Sequence, residues 1–132
     1  MNKKVDLTID FAGLKLANPV FTASGTCGYV DELAEFFDIN RLGGFITKSI
    51  TLNPQQGNPT PRIVETDSGM LNAIGLANIG VERFLKEKLP TIADFSIPFF
   101  VNLAGKTIDD YIQTADLLAP KKEIAGFELN IS

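Results

Sequence analysis

The chain has 132 residues and a formal net charge of −4 at pH 7, with 45% hydrophobic residues, 21% charged residues, one cysteine and no histidine. This composition is typical of a soluble globular domain, and the acidic balance argues against nucleic acid or an anionic membrane as a partner. It also excludes a disulfide framework, a zinc site and a Ser-His or Cys-His catalytic pair, so no metal site is predicted. Because signal-peptide and membrane-spanning patterns are absent, we expect a cytoplasmic protein.

The first predicted elements are a hairpin, a core strand and a short helix. Residues 5–9 alternate between apolar and polar side chains, and a second short apolar run follows at 14–16, which predicts two paired strands. Residues 20–22 predict the first buried strand, and the small residues of 23–28 predict a loop that lets a ligand approach the backbone. Asp31 is predicted to cap the short helix.

A second buried strand is predicted at 45–47, where strand-forming residues follow two glycines and end at Lys48. Parallel α/β folds place their chemistry at the carboxyl ends of strands, so Lys48 is a candidate site residue. The alternative is a lysine that merely extends from a strand end into water. The pattern recurs in apolar runs that end near Ser24, Asn102 and Asn130, and this recurrence favours a site.

A long excursion separates the second and third core strands. Residues 50–79 are rich in proline, glycine and asparagine, and within them 62–66 and 70–74 are predicted to pair as a hairpin. Excursions of this length are more often functional lids or walls than padding. An amphipathic helix is predicted at 80–89, ended by Pro90.

Strands and helices alternate after the first hairpin. The third strand ends at Asn102, Thr107 is predicted to cap the helix that follows, and 127–130 predict the fourth strand. This order predicts an α/β fold with a parallel sheet, and the spacing of about 25 to 30 residues between core strands is that of a TIM (β/α)8 barrel. We therefore predict that residues 1–132 are the amino-terminal half of one barrel domain, a hairpin and then roughly the first strand–helix unit to the fourth strand, in a larger protein.

Segments spread over nearly the whole chain carry a family resemblance. In chain order they are Asn18-Pro-Val-Phe-Thr-Ala-Ser-Gly-Thr, Gly44-Phe-Ile-Thr-Lys-Ser, Gly57-Asn-Pro-Thr-Pro-Arg, Ser68-Gly-Met-Leu-Asn-Ala-Ile-Gly-Leu-Ala-Asn, Val101-Asn-Leu-Ala-Gly and Glu128-Leu-Asn-Ile-Ser. The chain resembles the dihydroorotate dehydrogenases, and specifically their bacterial two-subunit, NAD-linked class. The resemblance covers only the amino-terminal part of that family's length, and it implies a TIM barrel that holds FMN over the carboxyl ends of its strands.

The resemblance also implies a set of site residues. The implied cofactor-binding residues are Ala23, Ser24, Lys48, Ser49, Asn102 and Asn130, all for FMN. The implied substrate-binding residues are Lys48, Asn72, Ala73, Ile74, Gly75, Leu76 and Asn130. A lysine suits the charged edge of a reduced flavin, and amides suit the imide edges of flavin and pyrimidine because one side chain both donates and accepts.

No catalytic residue is predicted within the chain. In this family the general base is a cysteine shortly after the Asn-Ile-Ser segment, normally followed by Pro-Asn, and the sequence stops at Ser132. Cys27 lies in the first loop and is interpreted as a small buried or half-buried thiol. The implied site residues of this chain therefore do not include the general base or the FMN phosphate site, and we expect this chain by itself to be inactive.

The resemblance implies oxidation of dihydroorotate to orotate in de novo pyrimidine (UMP) biosynthesis. Electrons would pass from FMN to NAD through a partner electron-transfer subunit that carries FAD and an iron–sulfur cluster, in a heterotetramer of two subunits of each kind. Two alternatives stay open. One is a single-subunit, fumarate-linked dihydroorotate dehydrogenase, and the other is a non-catalytic half-barrel binding module if the chain naturally ends at Ser132.

Overall fold

The computed structural model describes residues 5–132, and its centre is a three-stranded parallel sheet. The strands in this part of the chain are β1 (Ile9–Phe11), β2 (Leu14–Leu16), β3 (Phe45–Ile46), β4 (Ile63–Thr66), β5 (Gly69–Asn72), β6 (Phe99–Leu103) and β7 (Ile124–Leu129). The helices are α1 (Gly80–Arg83), α2 (Leu89–Ile92) and α3 (Ile108–Leu118), with a π-helical turn at Phe84–Lys88 between the first two. Short 3-10 turns lie at Leu33–Glu35 and Ile39–Arg41.

The parallel sheet has the order β3–β6–β7, and the predicted α/β class is confirmed. Both predicted hairpins form as antiparallel pairs, β1 with β2 and β4 with β5, but the first strand lies at Ile9–Phe11 and not at the predicted 5–9. The core lies between the sheet and the helices, where the Phe45 and Phe99 rings stack at 5.1 Å and Phe84 is fully buried. The hydrophobic runs that predict these strands are therefore buried on the helix side of the sheet.

The prediction of a regular core strand at 20–22 is wrong. It makes a single parallel bridge, between Phe21 and Gly44. The Thr22 hydroxyl replaces the next ladder bonds, since Thr22 Oγ1 accepts from Ile46 N at 3.2 Å and lies 3.4 Å from Ile46 O. The segment still lies beside β3 at the edge of the sheet, but a side chain takes over the pairing that the backbone would make.

Two helix predictions also need correction. The Asp31 side chain caps no helix, because its Oδ2 accepts from Lys88 Nζ at 2.6 Å, and only 3-10 turns follow it. Pro90 does not end the next helix, which continues to Ile92. The π-helical turn before Leu89 places Pro90 in the first turn of α2, where a missing N–H is tolerated.

The predicted cap of α3 is confirmed, and it is a complete capping box. Thr107 Oγ1 accepts from Asp110 N at 3.2 Å, and Asp110 Oδ2 accepts from Thr107 N at 3.0 Å.

Replacement Thr107→Ala removes one of these bonds, so we expect a loss of about 1 kcal/mol in the free energy of unfolding of the intact protein. Chemical denaturation measures it, with the exposed Thr91→Ala as the matched control. Equal midpoints for the two variants would contradict the assignment.

The capping box also predicts that the stability of the protein depends on pH. Hydrogen bonds from the backbone N–H groups of Lys106 and Thr107 lower the pKa of Asp110 below its ordinary value of 3.8. A lowered folded-state pKa stabilises the fold above the unfolded-state pKa, and this contribution is lost as the pH falls through the folded-state value. We expect Asp110→Asn to be less stable than the wild type at neutral pH, with the difference shrinking below about pH 4. The exposed Asp116→Asn on the same helix is the control, and a difference independent of pH would contradict this origin.

Candidate functional site

Polar residues from the first loop and from the carboxyl ends of β3, β6 and β7 meet in one cleft. The cleft has a volume of about 470 Å³. Its lining residues are Ser24, Gly25, Lys48, Ser49, Ile74, Leu76, Ala77, Asn102, Glu128, Leu129, Asn130, Ile131 and Ser132. We call this space the tip cleft. It brings together seven of the residues predicted from the sequence, namely Ser24, Lys48, Ser49, Ile74, Leu76, Asn102 and Asn130.

Lys48 lies where the segment after β3 leaves the sheet ladder. Its backbone N donates to Gly28 O at 2.8 Å, while Thr47 N before it and Ile50 N after it still donate to β6 at 3.0 and 2.8 Å. The side chain is half-buried, and among the described residues its ammonium has no carboxylate within ion-pair distance and no hydrogen-bond partner. A half-buried cation without a protein counter-charge suits an anionic or electron-rich ligand.

Asn130 is held at the end of β7 by backbone and side-chain hydrogen bonds. Its backbone N donates to Leu103 O at 2.8 Å, and its carbonyl oxygen accepts from the Tyr111 hydroxyl. Its side-chain Nδ2 donates to Ser49 Oγ at 3.3 Å, while Oδ1 accepts from Ser132 N at 3.1 Å. The amide is therefore fixed at the floor of the tip cleft beside Ser49.

Asn102 sits on the middle strand and is 2% exposed. Its Nδ2 donates to Glu128 Oε1 at 2.5 Å across the β6–β7 pair, in which the two residues are directly in register. Its Oδ1 is buried and has no hydrogen-bond partner among the described residues. Buried polar atoms without a partner are uncommon, and at a cleft they mark a place for a ligand or water.

The predicted substrate loop is only partly in the tip cleft. Ile74 and Leu76 line it, whereas Gly75 lines an adjoining pocket of about 270 Å³. Asn72 is exposed as the last residue of β5, and Ala73 N donates to Arg62 O at 2.8 Å. The loop turns at Gly75 and Leu76, whose φ angles are 73° and 53°. A Cβ at Gly75 would lie 2.8 Å from Asn58 N, so this position requires glycine.

Asn78 anchors that loop, and the sequence interpretation missed it. Its Oδ1 accepts from Thr51 N at 3.2 Å and from Gly80 N at 2.9 Å. Its Nδ2 donates to Leu76 O at 2.7 Å and to Thr51 Oγ1 at 2.9 Å. One buried amide thus ties the loop to the segment after β3 and to the start of α1. The bond from Gly80 N, two residues on, is a local turn contact that asparagine often makes, whereas the bonds with Thr51, 27 residues earlier, have no local sequence signal.

The first loop contributes less than predicted. Ser24 and Gly25 line the tip cleft, but Ala23 is exposed, and its carbonyl oxygen accepts from Thr26 N at 3.2 Å and from Thr26 Oγ1 at 2.6 Å. Cys27 is half-buried, as interpreted.

Glu128 is a second residue of the tip cleft that the sequence interpretation missed. It lies two residues before Asn130, and because side chains two residues apart on a strand share one face, the two-residue period could have identified it.

The donor and acceptor set of the tip cleft fits a flavin better than a metal. It offers the Lys48 ammonium, the unpartnered Asn102 Oδ1 and the Ser24 and Ser49 hydroxyls, which match a ring system that carries both N–H donors and carbonyl acceptors. Within residues 5–132 no group of three or more acidic, histidine or cysteine side chains is arranged to hold a metal ion. In the same range no helix has the length and apolarity needed to cross a membrane.

Known structures share this fold. The dihydroorotate dehydrogenase of Eimeria tenella in complex with ferulenol aligns with a TM-score of 0.76 at 21% identity, over 96% of this chain and 37% of that one. The ligand-free form from the same organism aligns with a TM-score of 0.74 at 19% identity, over 96% of this chain and 38% of that one. At these identities the likeness concerns the fold alone.

Other relatives share a higher sequence identity with this chain. The catalytic subunit of dihydroorotate dehydrogenase B (NAD(+)) from Geotalea uraniireducens is 51% identical over 129 residues, which are 98% of this chain and 42% of the relative. The subunit of the same name from Pelobacter propionicus is also 51% identical, with the same coverage. The chain thus spans less than half the length of these relatives. The family model for dihydroorotate dehydrogenase matches residues 6–132. The chain therefore belongs to the dihydroorotate dehydrogenase family.

Proposed function

We propose that the protein containing this chain oxidises dihydroorotate to orotate with FMN, in de novo pyrimidine biosynthesis. In this proposal residues 1–132 are the amino-terminal part of one (β/α)8 barrel domain. The remaining strands, the FMN phosphate site and the cysteine that removes the substrate proton belong to sequence after Ser132. Membership of the family and the 51% identity to dihydroorotate dehydrogenase B (NAD(+)) catalytic subunits support the reaction.

The observation that carries the proposal is the composition of the tip cleft. About 470 Å³ of space is lined by a lysine and a buried amide oxygen, which have no counter-charge and no hydrogen-bond partner, respectively, within residues 5–132, and by a second amide that is fixed by hydrogen bonds. Parallel α/β folds bind ligands at this edge of the sheet. The unpartnered buried acceptor and the half-buried cation both lower the stability of the fold, so ligand binding explains these two features better than folding does.

Each residue has a proposed task. Bound FMN supplies the acceptor for the hydride that leaves dihydroorotate. Lys48 places a fixed positive charge beside the polar edge of the ring and the substrate carboxylate, which favours the charge that develops during the reaction. Asn130 and Asn102 hydrogen-bond the imide edges and so orient ring and substrate, and Ser24 and Ser49 add hydroxyl contacts from two sides.

The substrate loop has the proposed task of closing over dihydroorotate. Asn72 hydrogen-bonds the pyrimidine, and the backbone N–H groups of Gly75 and Leu76 meet its carboxylate, with Ala73 and Ile74 as the further substrate-binding residues of the loop. Asn72 and Ala73 lie outside the tip cleft, so this task requires the loop to move inward when substrate binds. The chemistry suits the loop, since backbone N–H groups in a turn with positive φ angles form a concave anion site.

The electron acceptor is NAD in this proposal. A partner subunit with FAD and an iron–sulfur cluster would carry the electrons, in a cytoplasmic heterotetramer of two catalytic and two electron-transfer subunits. The printed name of the relatives, a catalytic subunit of an NAD(+) enzyme, supports a separate partner.

The test uses the full-length protein purified with and without the proposed electron-transfer subunit. We expect orotate to form with reduction of NAD only when both subunits are present. Orotate formation with fumarate by the single subunit would replace the NAD-linked class by the fumarate-linked one. No flavin and no oxidation of dihydroorotate under either condition would overturn the proposed function and favour a non-catalytic module.

A further inference from the structure

The hydrogen bond between Asn102 and Glu128 fixes which end of an amide faces which neighbour. An ionised carboxylate has acceptors only, so Glu128 pairs with the NH₂ group of Asn102 and not with its carbonyl oxygen. Bonds of this kind, in which one partner is charged, are shorter and stronger than neutral ones.

The consequence is that the side-chain atom of Asn102 left without any hydrogen-bond partner among the described residues is an acceptor, its oxygen, since Nδ2 already donates one of its two hydrogens to Glu128. Asn102 Oδ1 is buried, while the residue lines the tip cleft together with Glu128. If Glu128 were absent, the amide could turn by 180° and present its NH₂ group instead, at little cost in shape. The carboxylate therefore decides whether the cleft meets a donor or an acceptor at this point.

We infer that Glu128 is a positioning residue that holds Asn102 so that its carbonyl oxygen accepts a hydrogen bond from a ring N–H of the bound flavin. This inference rests on the proposed function and extends it to a residue that touches no ligand in the proposal. Glu128 is suited to the task because β7 is in register with β6, which puts its side chain beside Asn102 without a loop between them. A rigid pair of strands orients the amide more exactly than a loop residue does.

A purely structural role for the hydrogen bond between Asn102 and Glu128 explains fewer of the observations. If the bond served only to stabilise the sheet, we would expect Asn102 Oδ1 to have a hydrogen-bond partner of its own. That atom is instead buried without a partner among the described residues. An unpaired buried acceptor lowers stability, so the arrangement is costly until a donor arrives. A ligand N–H removes the cost, whereas a ligand carbonyl would be repelled.

The test is a double-mutant cycle on FMN binding by the full-length protein, read from flavin fluorescence on titrating the apoprotein. We expect Glu128→Gln to raise the dissociation constant for FMN about tenfold, because glutamine can offer its own NH₂ group to Asn102 and release the fixed orientation. In the presence of Asn102→Ala, the same Glu128→Gln replacement is expected to change the constant by less than about twofold. Glu128→Leu, which removes the acceptor entirely, is expected to weaken binding more than Glu128→Gln.

Controls separate positioning from damage to the fold. Glu123→Gln makes the same chemical change at an exposed position just before β7 and is expected to leave FMN affinity unchanged. Thermal unfolding of Glu128→Gln is expected to match that of the wild type, since the two side chains have the same shape. Equal losses with and without Asn102→Ala would overturn the inference, as would wild-type affinity in Glu128→Gln. A wild-type protein that binds no FMN at all would instead overturn the proposed function on which the inference rests.

Discussion

Replacement Lys48→Met is expected to slow the oxidation of dihydroorotate by the full-length protein by about 10²- to 10³-fold, the usual effect of removing one group that stabilises developing charge. Methionine keeps the apolar stem of lysine and removes the charge. The backbone of Lys48 stays in place because its N–H bond to Gly28 O, at 2.8 Å, does not involve the side chain. The loss therefore reports on the ammonium alone, and steady-state kinetics with dihydroorotate measure it.

The matched control for this prediction is Lys122→Met, an exposed lysine before β7 that lies outside the tip cleft. It removes one positive charge from the protein without touching the site, so wild-type kinetics are expected. If Lys48→Met kept both wild-type turnover and wild-type FMN affinity, Lys48 would be no more than a lysine that extends from a strand end into water.

The second large effect is expected at Asn78. Replacement Asn78→Ala leaves the buried N–H groups of Thr51 and Gly80 without their acceptor, and an unpaired buried group costs roughly 1–3 kcal/mol. We therefore expect the free energy of unfolding to fall by about 3 kcal/mol. Since the same amide holds Leu76 O, the substrate loop loses its anchor, and KM for dihydroorotate is expected to rise.

Asn53→Ala is the control for Asn78, because Asn53 is an exposed asparagine of the same excursion whose side chain makes no hydrogen bond within the described part of the chain. Chemical denaturation and substrate titration should both leave it close to the wild type. An Asn78→Ala protein with an unchanged denaturation midpoint would show that the loop is held by its backbone contacts with Gln55 and not by this side chain.

The features that could be predicted from the sequence have local causes. The parallel strands follow from short apolar runs, and the cap at Thr107 follows from the spacing of a capping box. The meeting of Lys48, Asn102 and Asn130 at one edge follows from the rule that parallel strands end on the same side. Local patterns were thus sufficient for the three-stranded sheet and for Ser24, Lys48, Asn102 and Asn130 of the tip cleft, whereas Ser49, Ile74 and Leu76 came from the family resemblance.

The features that could not be predicted depend on contacts between distant segments. The Asp31 carboxylate bonds to Lys88 instead of a helix, and the strand at 20–22 pairs through the Thr22 hydroxyl. The π-helical turn that carries the helix past Pro90 has no local signal, because it depends on packing. The same reason hides the bonds between Asn78 and Thr51, which lie 27 residues apart in the sequence.

The most direct test of the central claim is a crystal structure of the full-length protein with FMN and orotate bound. The account predicts the flavin ring in the tip cleft, with Lys48 and Asn130 within hydrogen-bond distance of ligand atoms and Asn102 Oδ1 accepting from a ring N–H. A flavin bound elsewhere in the protein, with Lys48 directed into solvent and Asn102 Oδ1 still unpaired, would contradict it.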